Sequence, residues 1–119
     1  MKITIQIDAV AQARPRFVKG TVIDAPRSKE FKEEFAWQVR GKYKGKPTIA
    51  AVAVEVKIYR NFKTATNKLY GDADNLAKGI LDACNGILWA DDSQIVRLTV
   101  EKNITDGNPR VELSFDEVF

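Results

Sequence analysis

The sequence predicts an α+β two-layer sandwich: a mixed four-stranded sheet with two helices on one face, in the order strand–helix–strand–helix–strand–strand. Three observations predict it. Four segments alternate apolar and polar residues, the period of a half-buried strand. Two segments repeat apolar residues every three to four positions, the period of an amphipathic helix. A chain of 119 residues has room for one domain, residues 1–119, and two helices suffice to cover one sheet face.

The elements follow in order. Ile3, Ile5 and Ile7 alternate with Lys2, Thr4 and Gln6 as a first strand. Residues 9–27 read as irregular and basic, with Phe17-Val18 and Thr21-Val22-Ile23 flanking Lys19-Gly20 as a small hairpin. Ser28 is the expected N-cap of a helix running to about Tyr43, with Phe31, Phe35, Val39 and Tyr43 on its apolar face. Gly45 and Pro47 end it. Val52, Val54, Val56 and Ile58 alternate with Ala53, Glu55 and Lys57 as a second strand, and residues 61–71 form a loop. A second helix is expected from about Asp74 to Asn85, closed by Gly86. Val96, Leu98 and Val100 mark a third strand, Asp106-Gly107-Asn108-Pro109 a turn, and Val111, Leu113 and Phe115 a fourth strand. There is no internal repeat or linker.

Composition narrows the chemistry. Hydrophobic residues at 45% and charged residues at 29% are a globular balance. The longest apolar run, Ile49 to Val54, is far short of the ~20 residues that span a bilayer, so no membrane partner is expected. The opening Met1-Lys2-Ile3-Thr4 alternates like a strand rather than a signal peptide. A lone Cys84 excludes a disulfide framework and points to a reducing cytoplasm. There is no histidine, which removes Ser-His-Asp and Cys-His triads and imidazole acid–base chemistry. An enzyme of this composition works with carboxylates, lysine, tyrosine or a hard metal ion.

Charge is unevenly spread. The chain carries 19 Lys and Arg against 16 Asp and Glu, but residues 71–92 hold Asp72, Asp74, Asp82, Asp91 and Asp92 against Lys78 alone. A basic body attracts a polyanion. Carboxylates clustered on it repel that polyanion unless a cation lies between. In Asp72-Ala73-Asp74 the extended spacing points both side chains to one face. On the following helix Asp74, Lys78 and Asp82 form a stripe opposite Leu76, Ile80, Ala83 and Cys84. The start of the third strand is expected to bring Asp91 or Asp92 beside the helix N-terminus. Three convergent carboxylates suit Mg²⁺, which can activate water and stabilise a leaving oxygen, while a lysine balances transition-state charge. Taken singly, each group also fits a plain structural role: turn and cap for Asp72 and Asp74, a solvated pair for Lys78 and Asp82, a turn for Asp91-Asp92. A calcium loop does not fit, because its sixth and twelfth positions are Ala77 and Ala83.

The run Asp72-Ala73-Asp74-Asn75-Leu76-Ala77-Lys78, then Asp82-Ala83, Gly86 and Trp89-Ala90-Asp91-Asp92-Ser93-Gln94 closely resembles the RusA family of Holliday junction resolvases. Arg14-Pro15-Arg16-Phe17 resembles the family's opening. The resemblance implies a homodimeric, Mg²⁺-dependent endonuclease (Mn²⁺ substituting) that resolves four-way junction DNA by paired symmetric nicks in recombination and repair, of a kind often carried by phages or prophages. It implies catalytic roles for Asp72, Asp74, Lys78 and Asp92, with Asp72, Asp74 and Asp92 on the metal and Asp91 a further candidate ligand. Some members carry an arginine run before the first aspartate; here Thr66-Asn67-Lys68-Leu69-Tyr70-Gly71 stands instead. DNA contact is therefore expected from Arg14, Arg16, Lys19, Arg27, Arg60, Lys63 and Lys68. Phe62 and Tyr70 are candidates for base stacking or for packing on the body, and Trp37 and Trp89 for core or dimer surface. Cys84 is expected to be buried and inert. Two other readings are a branched-DNA-binding module without cleavage and a phosphohydrolase of small nucleotides, the latter lacking a Gly-rich phosphate cradle.

Overall fold

A computed structural model describes residues 1–9, 16–18, 21–23, 26–61, 73–105 and 107–118. The strands are β1 (Lys2–Ile5), β2 (Arg16–Val18), β3 (Thr21–Ile23), β4 (Val52–Asn61), β5 (Ile95–Thr105) and β6 (Arg110–Glu117). The helices are α1 (Pro26–Lys42) and α2 (Ala73–Cys84), with a three-residue 3₁₀ turn at Asp92–Gln94. Strand order is β1-β6-β4-β5. β4 and β5 run parallel and the other pairs antiparallel, so the sheet is mixed, as the sequence predicts. β2 and β3 pair as the expected small hairpin, Phe17 opposite Val22.

Alternation in β1, β4 and β6 sends Ile3, Ile5, Val52, Val54, Val56, Ile58, Val111, Leu113 and Phe115 to the face beneath the helices. α1 adds Phe31, Phe35 and Val39, the row with i,i+4 spacing. Phe31 and Phe35 stack tilted, 5.7 Å between centroids. α2 adds Leu76, Ile80, Leu81, Ala83 and Cys84. The opposite face is polar and laced with ion pairs: Lys2–Glu112 at 3.6 Å and Arg110–Glu112 at 2.9 Å. The Arg110 guanidinium also lies 3.8 Å from the centre of the Tyr59 ring.

Two details depart from the expectation. α1 begins at Pro26 rather than after a Ser28 cap; proline's fixed φ and missing N–H suit the first turn. β5 does not bury its apolar set. Val96 is 61% and Leu98 44% exposed, because β5 is the sheet edge and Val96 falls at the register shift where the pairing passes from Ile95 to Arg97. Gly86 closes α2 as expected, at φ +80°, where a side chain would be strained.

Candidate active site

Seven inward residues of α2 leave Asp74 and Lys78 exposed and Asp82 half-buried on its other side, the charged stripe expected from the sequence. Asp74 lies in the first turn, where its Oδ1 accepts the Asn75 N–H at 2.9 Å and its charge meets the positive end of the helix dipole. Cys84 is fully buried, and burial pushes its thiol up to about 12. It is no thiolate nucleophile near neutrality.

Asp91 and Asp92 have separate tasks. The Asp91 carboxylate caps the 3₁₀ turn by accepting the Ser93 N–H at 2.9 Å, and the Gln94 Oε1 accepts the Asp91 N–H at 2.8 Å, a complete capping box. The Ser93 contacts hold the Asp91 carboxyl below the ordinary carboxylate range. Asp92, half-buried, lies close enough to Asp82 of α2 for the two carboxyls to interact. Burial first, then the contact with Asp92, raise the Asp82 carboxyl, while Lys78 and Lys32 pull the other way.

This geometry corrects one expectation. Asp92 sits against Asp82 rather than beside the α2 N-terminus. At 1.5 Å per residue, Asp82 lies about 12 Å along the helix from Asp74. The cause is topological. β4 and β5 are parallel with Val52 level with Ile95, so the chain leaving α2 returns to the end of the sheet where β4 begins, whereas α2 starts after β4 has ended. Lys78 stands one turn from Asp74 and one turn from Asp82.

Asp82 and Lys32 are the residues that the site adds to the expected set. Asp82 is visible in the sequence as the next step of the α2 stripe. Lys32 carries no local signal, since it arrives from α1 through the packing of α1 on α2.

Asp72, Arg14, Lys19, Lys63, Lys68, Phe62 and Tyr70 lie outside the described residues. Arg16 is at the start of β2 and Arg27 in the first turn of α1. Arg60 is only 5% exposed, inside the body rather than on a surface open to a phosphate. Its place on the buried parity of β4, after Val52, Val54, Val56 and Ile58, is the signal that foretells this. Trp89 is core at 0% exposed and Trp37 is surface at 69%.

Among the described residues no three acids or other ligating side chains converge on a metal position. The donor chemistry nonetheless fits a hard divalent cation: carboxylate oxygens only, two of them meeting across Asp82 and Asp92 where a cation relieves repulsion.

The raised Asp82 pKa carries a stability consequence. A carboxyl whose folded value lies above its unfolded one destabilises the fold when ionised, and the penalty vanishes below the unfolded value. Asp82→Asn is therefore expected to raise the melting temperature in EDTA at pH 7 by a few degrees. The gain should shrink as pH falls toward the ordinary value of 3.8. Thermal melts of both proteins from pH 3.5 to 8 check this, and an Asn variant less stable at pH 7 contradicts it.

No helix among the described residues is long and apolar enough to cross a membrane. A family model described as endodeoxyribonuclease RusA matches residues 6–115. The chain is also 34% identical over 139 aligned positions to an uncharacterised protein, YqaN, of Bacillus subtilis (strain 168), covering 99% of this chain and 96% of that one.

Proposed function

Because the chain belongs to the RusA family of endodeoxyribonucleases, we propose that it is a Mg²⁺-dependent nuclease that resolves four-way DNA junctions by paired symmetric nicks. The observation that carries this reading is the Asp82–Asp92 contact beside Lys78 on the open face of α2. A histidine-free protein has few other means of hydrolysing a phosphodiester. Asp92 holds the metal with Asp82, and Asp72 and Asp74, at the N-terminal end of α2, complete the acid set that the family resemblance assigns. A divalent cation held by these carboxylates would supply a water of lowered pKa and positive charge for the scissile phosphate. Lys78 stabilises negative charge developing on the phosphate oxygens. Arg14, Arg16, Lys19, Arg27, Lys63 and Lys68 supply phosphate contacts, which bind DNA without reading its sequence.

The acting species is a homodimer, since a C2 pair presents two identical sites to the two-fold symmetric junction. The exposed apolar run of edge strand β5, Val96, Leu98 and Ile104, is the surface best suited to a second copy. Leu98→Asp is expected to shift the protein to monomer in sedimentation velocity with its circular dichroism unchanged; an unaltered dimer moves the interface elsewhere.

The test of function is nicking of a synthetic four-way junction against a linear duplex of the same sequence, with Mg²⁺ and with EDTA. Paired nicks confined to the junction and to Mg²⁺ are expected. Tight junction binding without nicking in any divalent metal favours a non-cleaving junction-binding module instead. In the same assay Lys78→Ala is expected to cut on the order of 10²-fold more slowly at unchanged junction affinity, and unchanged turnover reduces Lys78 to a surface charge.

A further inference from the structure

We propose that Gln94 is a positioning residue of the acid site, fixing the orientation of Asp92 through its side-chain amide. This rests on the reading of Asp92 as a metal-holding carboxylate. A 3₁₀ turn of three residues has little rigidity of its own; here its internal backbone bond is Gln94 N–H to Asp91 O at 3.1 Å. The Asp91 carboxylate accepts the Ser93 N–H, Ile95 N–H donates to Asp92 O, and the Gln94 side chain ties the turn to the body. Its Oε1 accepts the Asp91 N–H at 2.8 Å, and its Nε2 donates to the Thr48 carbonyl at 2.9 Å and the Ala50 carbonyl at 2.8 Å. One amide thus joins the residue before Asp92 to the segment leading into β4.

The clamp continues upstream of Asp91. Thr48 N–H donates to Leu88 O at 3.0 Å, and the Thr48 carbonyl also accepts the Ala90 N–H at 3.1 Å. The Thr48 hydroxyl donates to Glu117 at 2.7 Å and accepts the Ala50 N–H at 3.1 Å, which fixes Thr48 itself. Asp92 is held at both flanks against one strand-like segment, with its own carboxylate left to face Asp82. The chemistry specifies glutamine. Glutamate keeps the acceptor for Asp91 N–H but sets a carboxylate oxygen against two carbonyls, and methionine keeps the length but makes none of the three bonds.

Mn²⁺ binding to the DNA-free protein, read from the loss of the free-ion signal in electron paramagnetic resonance, tests the proposal with Gln94→Met and Gln94→Glu. Partners that orient metal ligands are worth about 10–100-fold in affinity, so each variant is expected to bind Mn²⁺ at least about tenfold more weakly. Junction affinity, measured in EDTA, should stay near wild type, while the melting temperature falls modestly for the lost hydrogen bonds. Wild-type Mn²⁺ affinity in a folded variant overturns the proposal. So does a parallel fall in junction binding and melting temperature, or failure of both variants to fold, since Gln94 then acts on the fold as a whole. Wild-type protein that binds no Mn²⁺ removes the premise, a failure seen without any variant.

Discussion

Asp74→Asn is expected to abolish junction nicking, a loss of at least about 10²–10³-fold, while junction binding in EDTA stays at or slightly above the wild-type level. The side chain is exposed in the first turn of α2, and among the described residues it accepts one bond, from Asn75 N–H. Asparagine keeps that oxygen acceptor, so the contact with Asn75 N–H is retained. What it loses is the negative charge, and with it both the hold on a cation and some repulsion of the DNA backbone. Asp92→Asn is expected to behave alike for a different reason: it leaves a neutral amide against Asp82 and removes half of the carboxylate pair. Single-turnover nicking and gel-shift titration of the same preparations separate chemistry from affinity. An undiminished cutting rate in Asp74→Asn removes Asp74 from the active site.

Trp89→Ala is expected to cost about 3–5 kcal/mol of stability, the range for truncating a buried aromatic, and urea denaturation of wild type and variant measures it. Trp89 is fully buried, meets Phe115 edge-on at 5.8 Å, and donates its indole N–H to Asn85 Oδ1 at 2.9 Å. Its carbonyl accepts the Gly86 N–H at 2.7 Å, which folds the chain back after α2. Natural domains hold only about 5–15 kcal/mol in total, so the loss is a large part of what keeps the protein folded. Trp89→Phe, which retains most of the packing and gives up the hydrogen bond, should lose much less. A midpoint for Trp89→Ala within error of wild type contradicts the assignment of Trp89 as a core anchor.

What could be read from the sequence was whatever depends on near neighbours. The rows Phe31, Phe35, Val39 on α1 and Leu76, Ile80, Cys84 on α2 are set by helical period alone, and both are buried. Gly86 announces its turn because only glycine sits easily at positive φ. Position within the whole sheet was not legible. Val96 and Leu98 alternate as cleanly as Val54 and Val56, yet lie at the edge and stay exposed. Asp92 was expected at the wrong end of α2, because the end it reaches depends on β5 running parallel to β4. Arg60 is expected among the DNA contacts, although its parity in β4 puts it inside. Gln94 belongs to the family-like run Trp89–Gln94, but nothing local shows that its amide reaches back to Thr48 and Ala50.

The pairing of β1 with β6 sets the order in which the molecule can assemble. Lys2 lies opposite Ser114 and Ile5 opposite Val111, so β1 pairs with a strand made more than a hundred residues after it. The β4-α2-β5 unit, by contrast, closes over a short stretch of chain. Searching for a partner so distant in sequence slows folding. Until β6 emerges, Ile3 and Ile5 have no strand to lie against. A nascent chain therefore carries a sticky, unpaired β1 through most of its synthesis, and its yield in the cell depends on how well that strand is shielded in the interval.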